Sequence, residues 1–262
     1  KRITTIKEGV EIYREQLWVS LYNEASSFYE KGDENKAIKQ FNLALEVDPK
    51  NVQTYIVLAK INKQNGNLNE SKVLIDNASN IENLNQETET ELMLIKAEIL
   101  REEGNISEAV TYYEMAYNKN NSITAILSIL EINLIEENYA DAIKWGDIAM
   151  QNRAQLDRSF FGHLLYNIGL AYRGSGSSYY DKSANIINKI NDGDSISLST
   201  NTEGLNNLKL AKQNFSTARD FFLDAEVEDM LDAGDRAKQM KDIIKEINNV
   251  YIPFFENYEP RN

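Results

Sequence analysis

Apolar residues in the first part of the chain recur three and four positions apart, as in Val10, Tyr13, Leu17 and Leu21, the spacing of one face of a helix. From Trp18 to Asn51 a second pattern lies over this one. Small residues stand at Ala25, Gly32, Ala37 and Ala44, large ones at Phe28 and Phe41, and Pro49 closes the stretch. This predicts two short antiparallel helices. Ala25 and Ala37 sit where the backbones approach, Phe28 and Phe41 fill the space beside them, and Gly32 takes the turn. Such a pair buries too little apolar surface alone and needs neighbours.

The rest of the chain supplies them in register. Ala25, Gly32, Ala37, Phe41, Ala44 and Pro49 become Ala59, Gly66, Ser71, Ile75, Ala78 and Asn83 in the next unit. After a slip of a few residues they become Ala97, Gly104, Ala109, Tyr113, Ala116 and Asn121. In a fourth, degenerate unit they become Leu130, Glu137, Ala142, Gly146, Ala149 and Leu156. This order of small, aromatic and proline positions resembles the tetratricopeptide repeat family.

Taken with the resemblance, the pattern implies an all-α, right-handed α-solenoid of about five helix-turn-helix repeats with a C-terminal capping helix. The expected units are residues 18–51, 52–85, 90–123, 123–156 and 162–222. Residues 1–17 lead into the first helix, and QETE at 86–89 lengthens a connection. At Gly146 a neighbour must fill the space of the missing side chain.

The fifth unit departs most from the pattern. Leu165, Ile168, Gly169 and Tyr172 reproduce its first helix, and Gly176 is expected at the turn. The second helix reappears only at Ala211, Phe215 and Ala218. Residues 175–204 therefore read as an insertion, with a short helix near 182–190 and a mobile Gly/Ser/Thr-rich stretch over 192–204. A capping helix is expected over 225–248, with Val227, Met230, Leu231, Ala237, Met240, Ile243 and Ile244 on one face. An aromatic tail follows over 249–262.

Composition narrows the chemistry. The chain of 262 residues carries no Cys, which removes disulfides, thiolate metal sites and Cys nucleophiles together. The formal net charge of −13 disfavours a phosphate backbone as partner, so no nucleic-acid role is expected. No apolar run approaches the length of a membrane span. The chain opens at Lys1 rather than Met. A leader left outside it, together with resemblance to small repeat proteins of the bacterial envelope, favours the bacterial periplasm or cell envelope over the cytoplasm.

Catalytic candidates are few. His163 is the single histidine and stands on a predicted helix, so it reads as a surface or groove residue. Asp192-Gly193-Asp194-Ser195 hints at a calcium loop, but Ile196 occupies the next ligand position, and a solvated loop is the better reading. No Asp/Glu pair and no Gly-rich phosphate loop stands out, and no cofactor is expected. The protein is read as a non-enzyme.

The resemblance implies that first helices of successive repeats line a concave groove. The positions that correspond are Tyr22, Ser26 and Tyr29, then Gln53, Ile56 and Lys60, then Leu94, Glu98 and Arg101. Leu127 and Glu131 follow, and the fifth unit adds His163, Tyr166 and Arg173. About half should pack as core or near-core. The remainder would hold an extended segment or helix of another protein. A clamp for terminal carboxylates, known in the family, is not matched by Tyr22, Ser26, Val57, Glu91 and Ile95. Tyr179 and Tyr180 in the insertion, and Phe254 and Phe255 in the tail, are further contact candidates, or else fold back onto the last repeats. The alternative function is a small-ligand or signalling-peptide receptor whose insertion closes over the bound molecule.

Overall fold

A computed structural model describes residues 5–259; the first four residues of the lead-in and the last three of the tail lie outside it. The described residues contain helices and no strand. The chain divides into two compact units, residues 1–122 and 123–262.

The first unit holds α1 (Ile6–Glu30), α2 (Glu34–Val47), α3 (Val52–Gln64), α4 (Leu68–Ser79), α5 (Gln86–Glu102) and α6 (Ile106–Asn120). The lead-in is continuous with the first repeat helix: Thr5 caps α1 and exchanges hydrogen bonds with Glu8. Its apolar positions are not covered, however, since Val10 and Tyr13 are exposed. The small positions Ala25, Ala37, Ala59, Ser71, Ala97 and Ala109 are all fully buried. Ser71, standing where the other units have Ala, donates its hydroxyl to the Ala59 carbonyl of the facing helix at 2.7 Å. A buried hydroxyl is thereby satisfied.

Each helix pair turns in the same way. Gly32, Gly66 and Gly104 have φ of +78°, +75° and +80°. The next amide reaches back across the turn, from Asp33 to Phe28 O, Asn67 to Asn62 O and Asn105 to Leu100 O, at 2.9, 2.9 and 2.8 Å. This is the closure that leaves the left-handed position to Gly. Residues 86–89 correct one expectation. They do not lengthen a loop but form the first turn of α5, because the Asn85 side chain accepts the Thr88 amide and starts the helix there.

The second unit holds α7 (Ile123–Ile135), α8 (Tyr139–Gln151), a 3₁₀ turn (Arg153–Gln155), α9 (Arg158–Asn191), α10 (Leu198–Val227), α11 (Ala233–Glu246), a π turn (Ile247–Tyr251) and α12 (Ile252–Glu256). α7 and α8 keep the repeat turn with Glu137 in place of glycine, at φ +58°. The missing side chain at Gly146 is replaced by Ile168 of α9, whose Cγ1 would lie 2.7 Å from an added Cβ.

The expected insertion does not exist as a loop. α9 runs unbroken for 34 residues and α10 for 30, and the two pack as a long antiparallel hairpin. Gly176, expected at a turn, is buried mid-helix against Phe215. The connection shrinks to residues 192–197, and the stretch expected to be mobile is mostly the start of α10, capped by Ser197. The cause is a seam of small residues seven apart. Gly162, Gly169, Gly176 and Ser183 on α9 face the side where α10 carries Gly204, Ala211, Ala218 and Ala225, and all eight are buried. Without side-chain bulk the backbones approach closely, and Phe215 and Phe222 fill the gaps. Ser183 closes the seam with a 2.8 Å hydrogen bond to the Gly204 carbonyl.

The capping helix also moves. Residues 225–227 finish α10, and the chain breaks at Asp229 and Asp232, both left-handed with φ of +63° and +59°. Val227 and Leu231, expected on its buried face, are instead exposed, while Ala233, Ala237 and Met240 of α11 are buried. The aromatic tail folds back: Phe255 is buried against Gly204, and its carbonyl accepts the Asn201 amide at 3.0 Å.

Candidate functional site

The face expected to bind a partner is best formed within the first unit. α1, α3 and α5 each present one residue every three or four positions to it. Tyr22 is half-buried, its ring 5.2 Å from Trp18 on one side and 5.2 Å from Phe41 on the other. Tyr29 is more exposed, and its hydroxyl donates to Gln64 Oε1 at 2.8 Å. Trp18 Nε1 donates to Thr54 Oγ1 at 3.0 Å. Ile56 leaves the strip, because at 1% exposure it packs into the core with Leu58 and Ile61. Leu94, Glu98 and Arg101 of α5 are half-buried and Lys60 of α3 is exposed.

The charges here are tied between helices. Lys60 pairs with Glu91 at 2.7 Å, and Lys63 pairs with Glu98 and, at 3.7 Å, with Glu102. Burial of the Lys63 ammonium opposes its charge. The hydrogen bond and field of Glu98, then Glu102, outweigh that and hold its pKa above the ordinary lysine value. The sequence pattern left out Lys63 and Glu102, and Glu91 entered only as a position where a carboxylate clamp is not matched. The signal was available in their spacing, since Lys60 and Lys63 share one face of α3. The result is a strip with aromatic and aliphatic surface set between fixed ion pairs.

The second unit treats its candidates differently. Leu127 is half-buried and Glu131 is exposed on α7. Tyr166 is engaged from inside the unit: its hydroxyl lies 3.2 Å from both Asp232 carboxylate oxygens, Arg236 lies 5.3 Å over its ring, and Phe222 meets it edge-on. Burial, with the Asp232 charge added, raises its pKa against the pull of Arg236. Tyr179 packs into the hairpin core with Lys182 over its ring, and Tyr180 meets Tyr251 edge-on at 5.6 Å. Arg173 is half-buried on α9. These aromatics hold the hairpin and its tail together. His163 is exposed, with Nδ1–H donating to the Ser159 carbonyl at 2.8 Å.

Other chemistry finds no frame. Among the described residues no group of three or more His, Cys, Asp or Glu side chains could hold a metal ion. Asp192 to Ser195 form the turn between α9 and α10, where Gly193 at φ +96° lets the Asp194 amide reach the Lys189 carbonyl. No helix among the described residues is long and apolar enough to cross a membrane.

Residues 19–51 match the family model described as tetratricopeptide repeat. No curated protein matches the sequence. Among solved structures, one is YrrB, described as a TPR protein with an unusual peptide-binding site. It aligns at a TM-score of 0.52 with 15% identity over 90% of this chain and 97% of its own. The MamA protein aligns at a TM-score of 0.51 with 17% identity over 77% of this chain and 93% of its own. At these identities the likeness is one of fold.

Proposed function

Taking the chain as a tetratricopeptide-repeat protein, we propose that it is a non-enzymatic scaffold that holds a segment of another protein on the α1–α3–α5 face of its first unit. The observation that carries this reading is the strip itself. Tyr22, Tyr29 and Leu94 present partly exposed apolar surface, while Lys60–Glu91 and Lys63–Glu98 fix charges of both signs at its edges. Apolar anchors give an incoming segment its affinity and the fixed charges set its register. Tyr166, Tyr179 and Tyr180 of the second unit are engaged within their own unit.

The alternative of a receptor with a closing lid loses its moving part, since residues 175–204 form packed helix apart from the short connection at 192–197. The bacterial envelope remains the proposed location, and fractionation of the source organism tests it. For the binding face, the test is affinity capture with wild type beside Leu94→Glu and Tyr166→Phe. Leu94→Glu should lose the captured partner and Tyr166→Phe should keep it. Retention by both would place recognition elsewhere.

A further inference from the structure

A cavity lies on another face of the first unit. Where α4 ends and α5 begins, this cavity of about 480 Å³ opens over Leu92, Leu84, Met93 and Met115, within the size range of sites that take small ligands or anchoring side chains. Residues 92, 93 and 96 of α5 line it, whereas Leu94, Glu98 and Arg101 belong to the strip described above. At about 100° per residue the two sets point to roughly opposite sides of the helix. The cavity is therefore separate from the proposed groove.

Its origin is the slip in the repeat. The turn glycines Gly32 and Gly66 are 34 residues apart, but Gly66 and Gly104 are 38 apart. The additional residues become the first turn of α5 and a bend at Asn83, which sits at φ +63°. The cavity wall is charged in a specific way. Lys96 is 5% exposed, and its ammonium is answered by Asp76, whose own side chain is 55% exposed. At the rim Glu89 pairs with Lys119, and Glu82 makes no ion pair among the described residues. Of the three carboxylates that line the cavity, Asp76 and Glu89 are each paired with a lysine, and the one on Glu82 is unanswered.

We propose that this cavity receives a bulky apolar side chain of a partner protein segment, with an adjacent Lys or Arg of that segment pairing with Glu82 and the exposed side of Asp76. The apolar floor selects the anchor, and two flexible methionines let it adapt to Leu, Phe or Met. The carboxylate excess selects a cation and repels anionic groups such as phosphates. Lys96, paired with Asp76, fixes that carboxylate at the cavity wall.

The protein has five methionines, of which Met93 and Met115 face the cavity, so methyl spectra of the full chain with labelled methionine read the site directly. Titration with N-acetyl-Phe-Arg-amide to about 10 mM, the range in which a single anchored side chain binds, should shift the Met93 and Met115 methyls and leave Met150, Met230 and Met240 unmoved. N-acetyl-Phe-Glu-amide should bind at least about tenfold more weakly. Glu82→Lys, an exposed position that leaves the fold intact, should erase that preference, and Met115→Trp should block the shift by filling the mouth. Absence of a shift at both methyls, equal binding of the two probes, or a preference unchanged in Glu82→Lys would each overturn the proposal. So would a shift of the same methyls on concentrating the protein alone, which would assign the cavity to a second copy of this chain.

Discussion

Gly169 of α9 lies face to face with the ring of Phe222 on α10, so close that a Cβ on Gly169 would fall 2.8 Å from two ring carbons. The same contact recurs one heptad along, between Gly176 and Phe215. Real Cβ atoms do not approach rings so closely, so Gly169→Ala must push the helices apart. Overpacking of this kind costs about 1–3 kcal/mol despite the better helix propensity of alanine. Chemical denaturation should show Gly169→Ala and Gly176→Ala destabilised. An increase in stability in either would mean that the seam is looser than described.

Glu137 occupies the left-handed turn position that glycine holds in the other three repeats. Glu137→Gly relieves that strain and should stabilise by about 0.5–1 kcal/mol, less the entropy glycine adds to the unfolded chain. Gly104→Ala, at φ +80°, should destabilise by a similar amount. Paired thermal melts of the two variants check the sign of each.

Residues 177–203 form the end of α9, the connection and the first turns of α10, and they bury Ser183, Ile186 and Ile196. Replacing them with a short Gly/Ser linker should remove helical signal and lower the melting temperature by about 10 °C or more. Several kcal/mol of lost burial, at about 2–4 °C each, produces a drop of that size. Circular dichroism that kept its helical signal per remaining residue, with an unchanged melting point, would contradict the hairpin.

Alkaline pH should weaken the protein for two stated reasons. Hydrogen bonds with Tyr180 and then Glu246, with burial added, raise the Tyr251 pKa far above that of a free tyrosine. Lys63 is raised by Glu98 and Glu102 against its burial. Both groups have folded-state values above their unfolded ones. Their contributions are complete below about pH 10, the unfolded value of each, and fade as pH rises toward the folded values. Stability measured from pH 8 to 11 should fall at the upper end, and Tyr251→Phe should flatten part of that fall. A flat profile in wild type would contradict both assignments.

Much of the first unit was legible because its pattern is local. A small residue at Ala25, an aromatic at Phe41 and a glycine at Gly32 each answer a need within one helix pair, and the next pairs repeat them. The α9–α10 hairpin was not read, because Gly174, Gly176 and their serines look like chain breakers when only local propensity is weighed. Each such glycine weakens a helix by roughly 1 kcal/mol, and burial of Phe215 and Phe222 against the seam outweighs it. The signal was the seven-residue spacing of Gly162, Gly169, Gly176 and Ser183, matched in α10. The partner strip was half legible. Ile56 sits one helical turn from Lys60 in sequence, yet only packing decides that one is core and the other surface. Tyr166 was out of reach for a similar reason, since α11 begins later than its apolar pattern suggests and brings Asp232 and Arg236 onto the ring.

If the α1–α3–α5 face of the first unit holds a partner segment, that segment must lie within reach of Leu94. A photocrosslinking amino acid placed at Leu94, and in a second strain at the exposed Ser178 on α9, tests it inside the source organism. Position 94 should give a discrete protein adduct that disappears when Tyr29→Ala and Lys60→Glu are added, and position 178 should give none. An adduct from position 178 with none from position 94 would contradict it.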